Sequence, residues 1–320
     1  MNKQRVAVVQ AAPKVFDLPA TLQKVAELTA EAAATGARLV LFPEAFVSAY
    51  PLGLDFGARI GLRRPEGRDD FQRYFASAVA VPSEACDALA AAARQSRVHL
   101  VIGVIEVDGG TLYCTVLFFA PDGCLLGKHR KLMPTAMERL VWGFGDGSTM
   151  GVFDTPVGRL GAVICWENYM PLLRTHMYSQ GVQLYLAPTA DSRESWLPSM
   201  RHIALEGRCF VLSCCQYLTR DDCPPDYRLD PELQDQRVLM RGGSAIVSPL
   251  GEVLAGPNFD GEAILTAEID LDDIARGKYD FDVVGHYARP DLFQLHVNTR
   301  PARPVVAHRG GEPDPFSSEQ

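Results

Sequence analysis

The sequence predicts a layered α/β fold, on three observations. Short apolar runs alternate with amphipathic stretches through most of the chain, paired strands joined by glycine or proline turns interrupt that alternation, and the apolar runs stop abruptly at polar or ionisable residues. Mixed strand order with interleaved helices is the pattern of helices laid on sheets. A chain of 320 residues could hold two domains, but α/β enzymes of this size often form one. The expectation is a single domain over residues 1–300 and a flexible tail over 301–320, where periodicity is lost.

Each element has its own signal. Residues 6–10 read as a strand and the alanine-rich stretch 20–35 as a helix that Gly36 ends. Residues 38–42 (RLVLF) form a short buried strand, which Pro43 must stop because it has no N–H for the ladder; Glu44 is left at the carboxyl end. A helix over 83–96 has Ser83 as N-cap and Glu84 in its first turn. Strands over 98–107 and 111–120 flank Gly109-Gly110 as a hairpin. After the Pro121-Asp122-Gly123 turn comes a strand over 124–130, so Lys131 stands where it closes, before Pro134. The turn Thr155-Pro156-Val157-Gly158 leads into a buried strand over 159–164 (RLGAVI), which ends in Cys165. A helix (171–180), a strand (183–187), a helix (196–207) and a strand (209–217) follow. Strands over 244–248 and 252–255, joined by Pro249-Leu250-Gly251, and over 263–269 complete the sheets. The polar segments 51–75 and 219–241 read as surface loops.

Composition narrows the function classes. The net charge of −8 disfavours nucleic acid or an anionic membrane as partner. No apolar run reaches the ~18 residues of a membrane span, and the apolar stretch near the start is too short for a signal peptide. Eight cysteines form no CxxC pair and no spaced framework. That usage suits a reducing cytoplasm better than disulfides or a zinc site.

The chemistry-bearing residues lie at strand ends, where open α/β folds place their sites. A free cysteine is often inert core, and a lone glutamate or lysine is usually a solvated surface charge. Glu44, Lys131 and Cys165 together supply a base, a cation and a nucleophile that can meet only in the fold. None of the seven histidines lies in an HExxH pattern or beside a cysteine-peptidase signature.

Glu44 in FPEAF, Lys131 in HRKLMPT and Cys165 in CWENYMP resemble the Glu-Lys-Cys triad of the nitrilase superfamily, and CWENYMP is similar to the nucleophile motif of its nitrilase branch. MERLVWGFGDGS (137–148), APTADSRESW (187–196), RHIALEGRCFV (201–211) and VVGHYARPD (283–291) extend the resemblance from about Val6 to about Asn298. It implies an α-β-β-α sandwich and hydrolysis of an organic nitrile to the carboxylic acid and ammonia. In that chemistry Cys165 forms a thioimidate and then an acyl-enzyme, Glu44 is general base, and Lys131 stabilises the developing anion. No metal or organic cofactor is required. The resemblance also implies that Glu138 orients the base or substrate, the alternative being an exposed helix-start glutamate. Trp166 is a pocket wall or plain core; Glu167, Tyr50 and Trp142 are weaker pocket candidates. Self-association as a homodimer or larger spiral oligomer is implied, through 51–75, 219–241 and the helix at 171–180. The rival activities are an amidase or carbamoylase, or a cyanide-hydrolysing relative, with the same triad; a non-catalytic assembly protein is the rival from another class.

Overall fold

The computed structural model describes residues 3–303 and Val305, so most of the expected tail lies outside the described residues. The first sheet runs in the spatial order Ala263–Asp270, Lys3–Gln10, Leu39–Leu41, His99–Asp108, Thr111–Phe119, Leu125–Arg130, with Val79–Ala80 pairing on His99–Asp108. The second has the order Val253–Asn258, Ser244–Val247, Phe210–Cys215, Leu184–Thr189, Gly158–Ala162, Phe153–Thr155. In each sheet the three central strands are parallel and the flanking pairs antiparallel.

Period-two alternation explains how four layers form. In Lys3–Gln10, Val6 and Val8 face one core while Ala7 and Val9 face another; Leu39 and Leu41 part in the same way from Val40 and Phe42. Leu184 and Leu186 likewise oppose Tyr185 and Ala187. The first set meets between the two sheets and forms the central core. The outer face of the first sheet is covered by Leu18–Ala34 and Glu84–Ser96, through Val25, Ala32 and Leu89. The outer face of the second is covered by Pro171–Ser179 and Trp196–Gly207, through Leu173, Met177, Met200 and Ile203. The result is the helix–sheet–sheet–helix sandwich. Among the described residues no helix is long and apolar enough to cross a membrane.

The expected caps form: Ser83 Oγ accepts the Cys86 N–H at 3.4 Å, and the hairpin turns at Gly109-Gly110. Four expectations need correction. The segment 51–75 is not simply loop, because Ala58–Arg59 pairs with Leu62–Arg63 and a helix spans Pro65–Ala76. Its charges conceal a helical spacing of Phe71, Tyr74 and Phe75. Tyr74 is fully buried, with its ring 5.5 Å from Phe16 and 5.9 Å from Phe56. Within 219–241, Val238–Arg241 is a strand that pairs with Tyr217–Thr219. The strand expected over 209–217 therefore breaks at Gln216, whose side chain turns into the core. The strand before the cysteine stops at Ala162, two residues short of the expected end at 164. The short helix Asp272–Gly277 carried no recognised signal.

Candidate active site

The parallel strands direct their carboxyl ends to one edge of the sandwich, and the loops leaving those ends carry the reactive side chains. Glu44 follows Leu39–Leu41 and is fully buried. Its backbone crosses the strand His99–Asp108 at Gly103, where a Cβ would lie 2.2 Å from the Pro43 carbonyl oxygen and 2.8 Å from Glu44 Cα. Glycine alone permits that approach. From the second sheet, Gln216 Nε2 donates to the carbonyls of Glu44 at 2.8 Å and Ala45 at 3.3 Å. The glutamate loop is thus clamped from both sides.

Lys131 closes Leu125–Arg130 and is also buried. Its Nζ donates to Glu44 Oε1 at 2.7 Å and to Glu138 Oε2 at 2.8 Å. Glu138 is held in turn by the Thr135 N–H at 2.6 Å and the Tyr50 hydroxyl at 2.8 Å. It is 9% exposed, so the alternative of an exposed helix-start glutamate is excluded. One ammonium between two enclosed carboxylates leaves the group one negative charge in excess if all three are ionised. Burial therefore pushes the Glu44 carboxyl above its ordinary range, with the Lys131 charge opposing and the Glu138 charge assisting. Burial by itself lowers the Lys131 ammonium, but the charges around it, Glu44 foremost, hold it well above its ordinary value.

Cys165 opens a 3₁₀ turn, Cys165–Tyr169, with φ 51°. The left-handed region is strained for a residue with a Cβ, by about 1–2 kcal/mol. The turn is fastened by Asn168, whose Nδ2 donates to the carbonyls of Cys165 at 2.7 Å and Val163 at 2.9 Å. Thr189 Oγ1, at the end of Leu184–Thr189, donates to the Cys165 sulfur at 3.3 Å. Burial first, and the Glu44 charge next, push the thiol up to about 12, against the pull of Lys131 and Thr189. That direction favours the thiol over the thiolate.

A cavity of about 310 Å³ opens over this group, with Cys165, Glu138, Tyr50 and Thr135 in its lining. Trp166, Ala190, Asp191 and Arg193 complete it. Trp166 is a wall whose indole N–H donates to Asp191 Oδ2 at 2.9 Å, and the Arg193 guanidinium lies 5.1 Å from its ring centroid. Arg193 also pairs with Asp191 through two nitrogens, at 2.8 and 2.5 Å. Burial opposes ionisation of Asp191, but Arg193 and the indole hold its carboxyl below the usual range.

Two of the weaker pocket candidates lie elsewhere. Trp142 is buried behind the lysine, with Nζ 5.4 Å from its ring centroid. Its indole N–H donates to the Tyr74 hydroxyl at 3.3 Å. Glu167 does not line the cavity; it is 1% exposed. Its carboxylate accepts the Leu132 N–H at 2.5 Å and the Ile164 N–H at 2.8 Å, and lies 3.1 Å from His129 Nε2. It ties the segment after the lysine to the turn that presents the cysteine. Sequence reasoning missed Thr189, Asp191 and Arg193, although they follow a parallel strand ending at the same edge and could have been found by that rule. Gln216, Asn168 and Gly103 carried no comparable signal.

Comparison with known proteins places the chain in a family. Residues 5–279 match the family model described as carbon-nitrogen hydrolase. The chain is 60% identical over 306 residues to an aliphatic nitrilase of Sinorhizobium fredii, covering 96% of this chain and 99% of that protein. It is 57% identical over 307 residues to a bifunctional nitrilase/nitrile hydratase of Lupinus angustifolius, covering 94% and 88%. Among solved structures it resembles the carbon-nitrogen hydrolase of Helicobacter pylori G27, with TM-score 0.73 and 22% identity over 91% of this chain and 97% of the other, a likeness of fold.

Proposed function

The chain belongs to the carbon-nitrogen hydrolase family, as a member of its nitrilase group, and from that premise we propose that it hydrolyses an organic nitrile to the carboxylic acid and ammonia, with Cys165 as nucleophile. The observation that carries the reading is the enclosed Glu44–Lys131–Glu138 group beside the buried Cys165 thiol. A neutral thiol needs a base at the moment of attack. A carboxylate raised by burial is a stronger base than a solvated one, so the two shifts act in the same direction.

The Cys165 proton passes to Glu44 as the sulfur adds to the nitrile carbon, and Glu44 hands that proton on to the nitrile nitrogen, giving a thioimidate and an ionised Glu44. Lys131, fixed between the two carboxylates, places positive charge where the nitrogen and later the tetrahedral oxygen become anionic. Glu44 then deprotonates a water that adds to the thioimidate carbon. Loss of ammonia from this tetrahedral species leaves a thioester, and a second water releases the acid and restores the thiol. Loss of the thiolate instead of ammonia would release an amide. That second product is favoured by the 57% identity to a relative named for both nitrilase and nitrile hydratase activity. Self-association belongs to the same reading, supported by the exposed apolar side chains of Tyr169, Met170 and Leu172 beside the nucleophile turn.

The test is to supply a panel of nitriles and, separately, the matching amides, and to measure ammonia, acid and amide. Acid and ammonia from a nitrile support the proposal. Turnover of amides alone would replace it with an amidase, and turnover of neither would overturn it in favour of a non-catalytic role.

A further inference from the structure

Cys114 is a second thiol against the same carboxylate, and the chemistry above makes no use of it. It lies within the strand Thr111–Phe119 and is 1% exposed. Its Sγ donates to Glu44 Oε1 at 3.5 Å. Its carbonyl accepts the Lys131 backbone N–H at 2.8 Å. One residue therefore touches the base through its side chain and holds the lysine through its backbone.

The two oxygens of Glu44 are unequal. Oε1 accepts from Lys131 Nζ at 2.7 Å and from the Cys114 thiol. Oε2 is enclosed and has no hydrogen-bond partner among the described residues. A buried carboxylate oxygen without a donor is costly, and such orphans call for an explanation. We infer that Cys114 is a positioning residue which, with Lys131, saturates Oε1 of Glu44 and so reserves Oε2 to receive the Cys165 proton. The inference rests on Glu44 being the base.

The thiol is a dependable donor, because burial first and the Glu44 charge next push it well above its ordinary range. It is also a weak donor. A weak bond orients the carboxylate while taking little from its basicity, which a stronger donor would lower. The other titratable groups whose charge couples to Glu44 are Lys131, Glu138, Cys165, Tyr50 and Cys215, and all stay in place when Cys114 is changed.

The test compares Cys114→Ala and Cys114→Ser with the wild-type enzyme for kcat, KM and the pH profile of kcat, with folding checked by thermal melting. Cys114→Ala should lower kcat about ten-fold, close to 1.4 kcal/mol, with KM nearly unchanged. It should also move the acid limb to higher pH, because the ionised base loses a donor. Cys114→Ser restores a donor, so kcat should return to within a few-fold and the acid limb should move back to or below its wild-type position. Wild-type behaviour of both variants, or equal impairment of both, would overturn the inference. Should either variant fail to fold, the S–H infrared stretch of the intact protein reads the same contact. Its shift on Glu44→Gln in a Cys165→Ala background, which removes the other thiol facing Glu44, supports the inference, and an unshifted band overturns it. Full turnover by Glu44→Gln would remove the premise itself, whereas an inactive Glu44→Gln beside a wild-type-like Cys114→Ala defeats the positioning role alone.

Discussion

Replacing Glu167 by alanine separates a residue that holds the site together from one that lines it. The carboxylate is enclosed and accepts the N–H groups of Leu132 and Ile164 while lying 3.1 Å from His129. Alanine orphans both N–H groups and removes the partner of the imidazole. Each orphaned buried donor costs about 1–3 kcal/mol, so the loss of stability should be about 4 kcal/mol. At about 2.1 cal/mol/K per residue, unfolding 320 residues carries about 0.67 kcal/mol/K, which gives a fall in Tm of roughly 6 °C. Ile164 immediately precedes Cys165 and Leu132 immediately follows Lys131, so slack here displaces the two groups relative to one another. A misplacement of about 1 Å can cost on the order of 10²-fold in rate. Glu167→Gln should fall between, since its amide nitrogen would face one of the two donors. The assay is urea and thermal unfolding, with kcat and KM on the same preparations. A Glu167→Ala protein within about 1 kcal/mol of wild type, changed only in KM, would refute the bracing role and return this residue to the pocket wall.

Three further changes test the rest of the reading. Cys165→Ala should abolish turnover and leave melting nearly unchanged, and mass spectrometry of the working wild type should show an acyl adduct on Cys165; more than trace activity in the variant would end the covalent scheme. Glu138→Gln keeps the size and most of the hydrogen bonding but removes one charge from Lys131, so turnover should fall and the share of amide in the product should rise. A wild-type rate and product ratio would reduce the site to three residues. Glu106 is a buried carboxylate that accepts from Thr115, Lys128 and Arg130; burial opposes its charge, but the two cations hold its pKa below the ordinary value. Its contribution is therefore complete above the unfolded pKa of about 4.3 and is lost as pH falls through the lower folded value. Glu106→Gln should cost about 3 kcal/mol in urea denaturation near neutral pH, with the gap from wild type closing toward pH 3, and a gap independent of pH would refute the pairing.

Much of this protein can be read without coordinates, because hydrophobic period is a local property. The unbroken apolar runs VAVV and LVLF state that both faces of those strands are covered, hence a layered fold; that the layers number four depends on the two sheets meeting around Val6, Leu39 and Leu184, which no period encodes. Pro43 ends one strand before Glu44 by covalent chemistry alone, and Ser83 announces its helix through a single side-chain oxygen. The candidate nucleophile, cation and base were legible because each stands where an expected strand closes, Glu44 and Cys165 after apolar runs and Lys131 before the loop that bears Pro134. Other features depend on distances between residues far apart in the chain, which no local pattern encodes. Nothing in MERL distinguishes a buried glutamate from an exposed one, since burial of Glu138 depends on Lys131 and Tyr50 arriving within hydrogen-bonding reach. Glu167 resembles a pocket residue by its neighbours in sequence, yet its carboxylate turns inward because two backbone N–H groups there need an acceptor. The arginines and aspartates of 51–75 mask a helix whose apolar face exists only against Phe16 and Phe56. Gly103 reads as a weak point in a strand until the backbone of Glu44 is seen crossing it. Residue types and periods set a layered α/β fold and the candidate chemistry; packing decided the order of the layers and which charges could be buried together, because an ionisable group leaves water only where the fold brings it a partner.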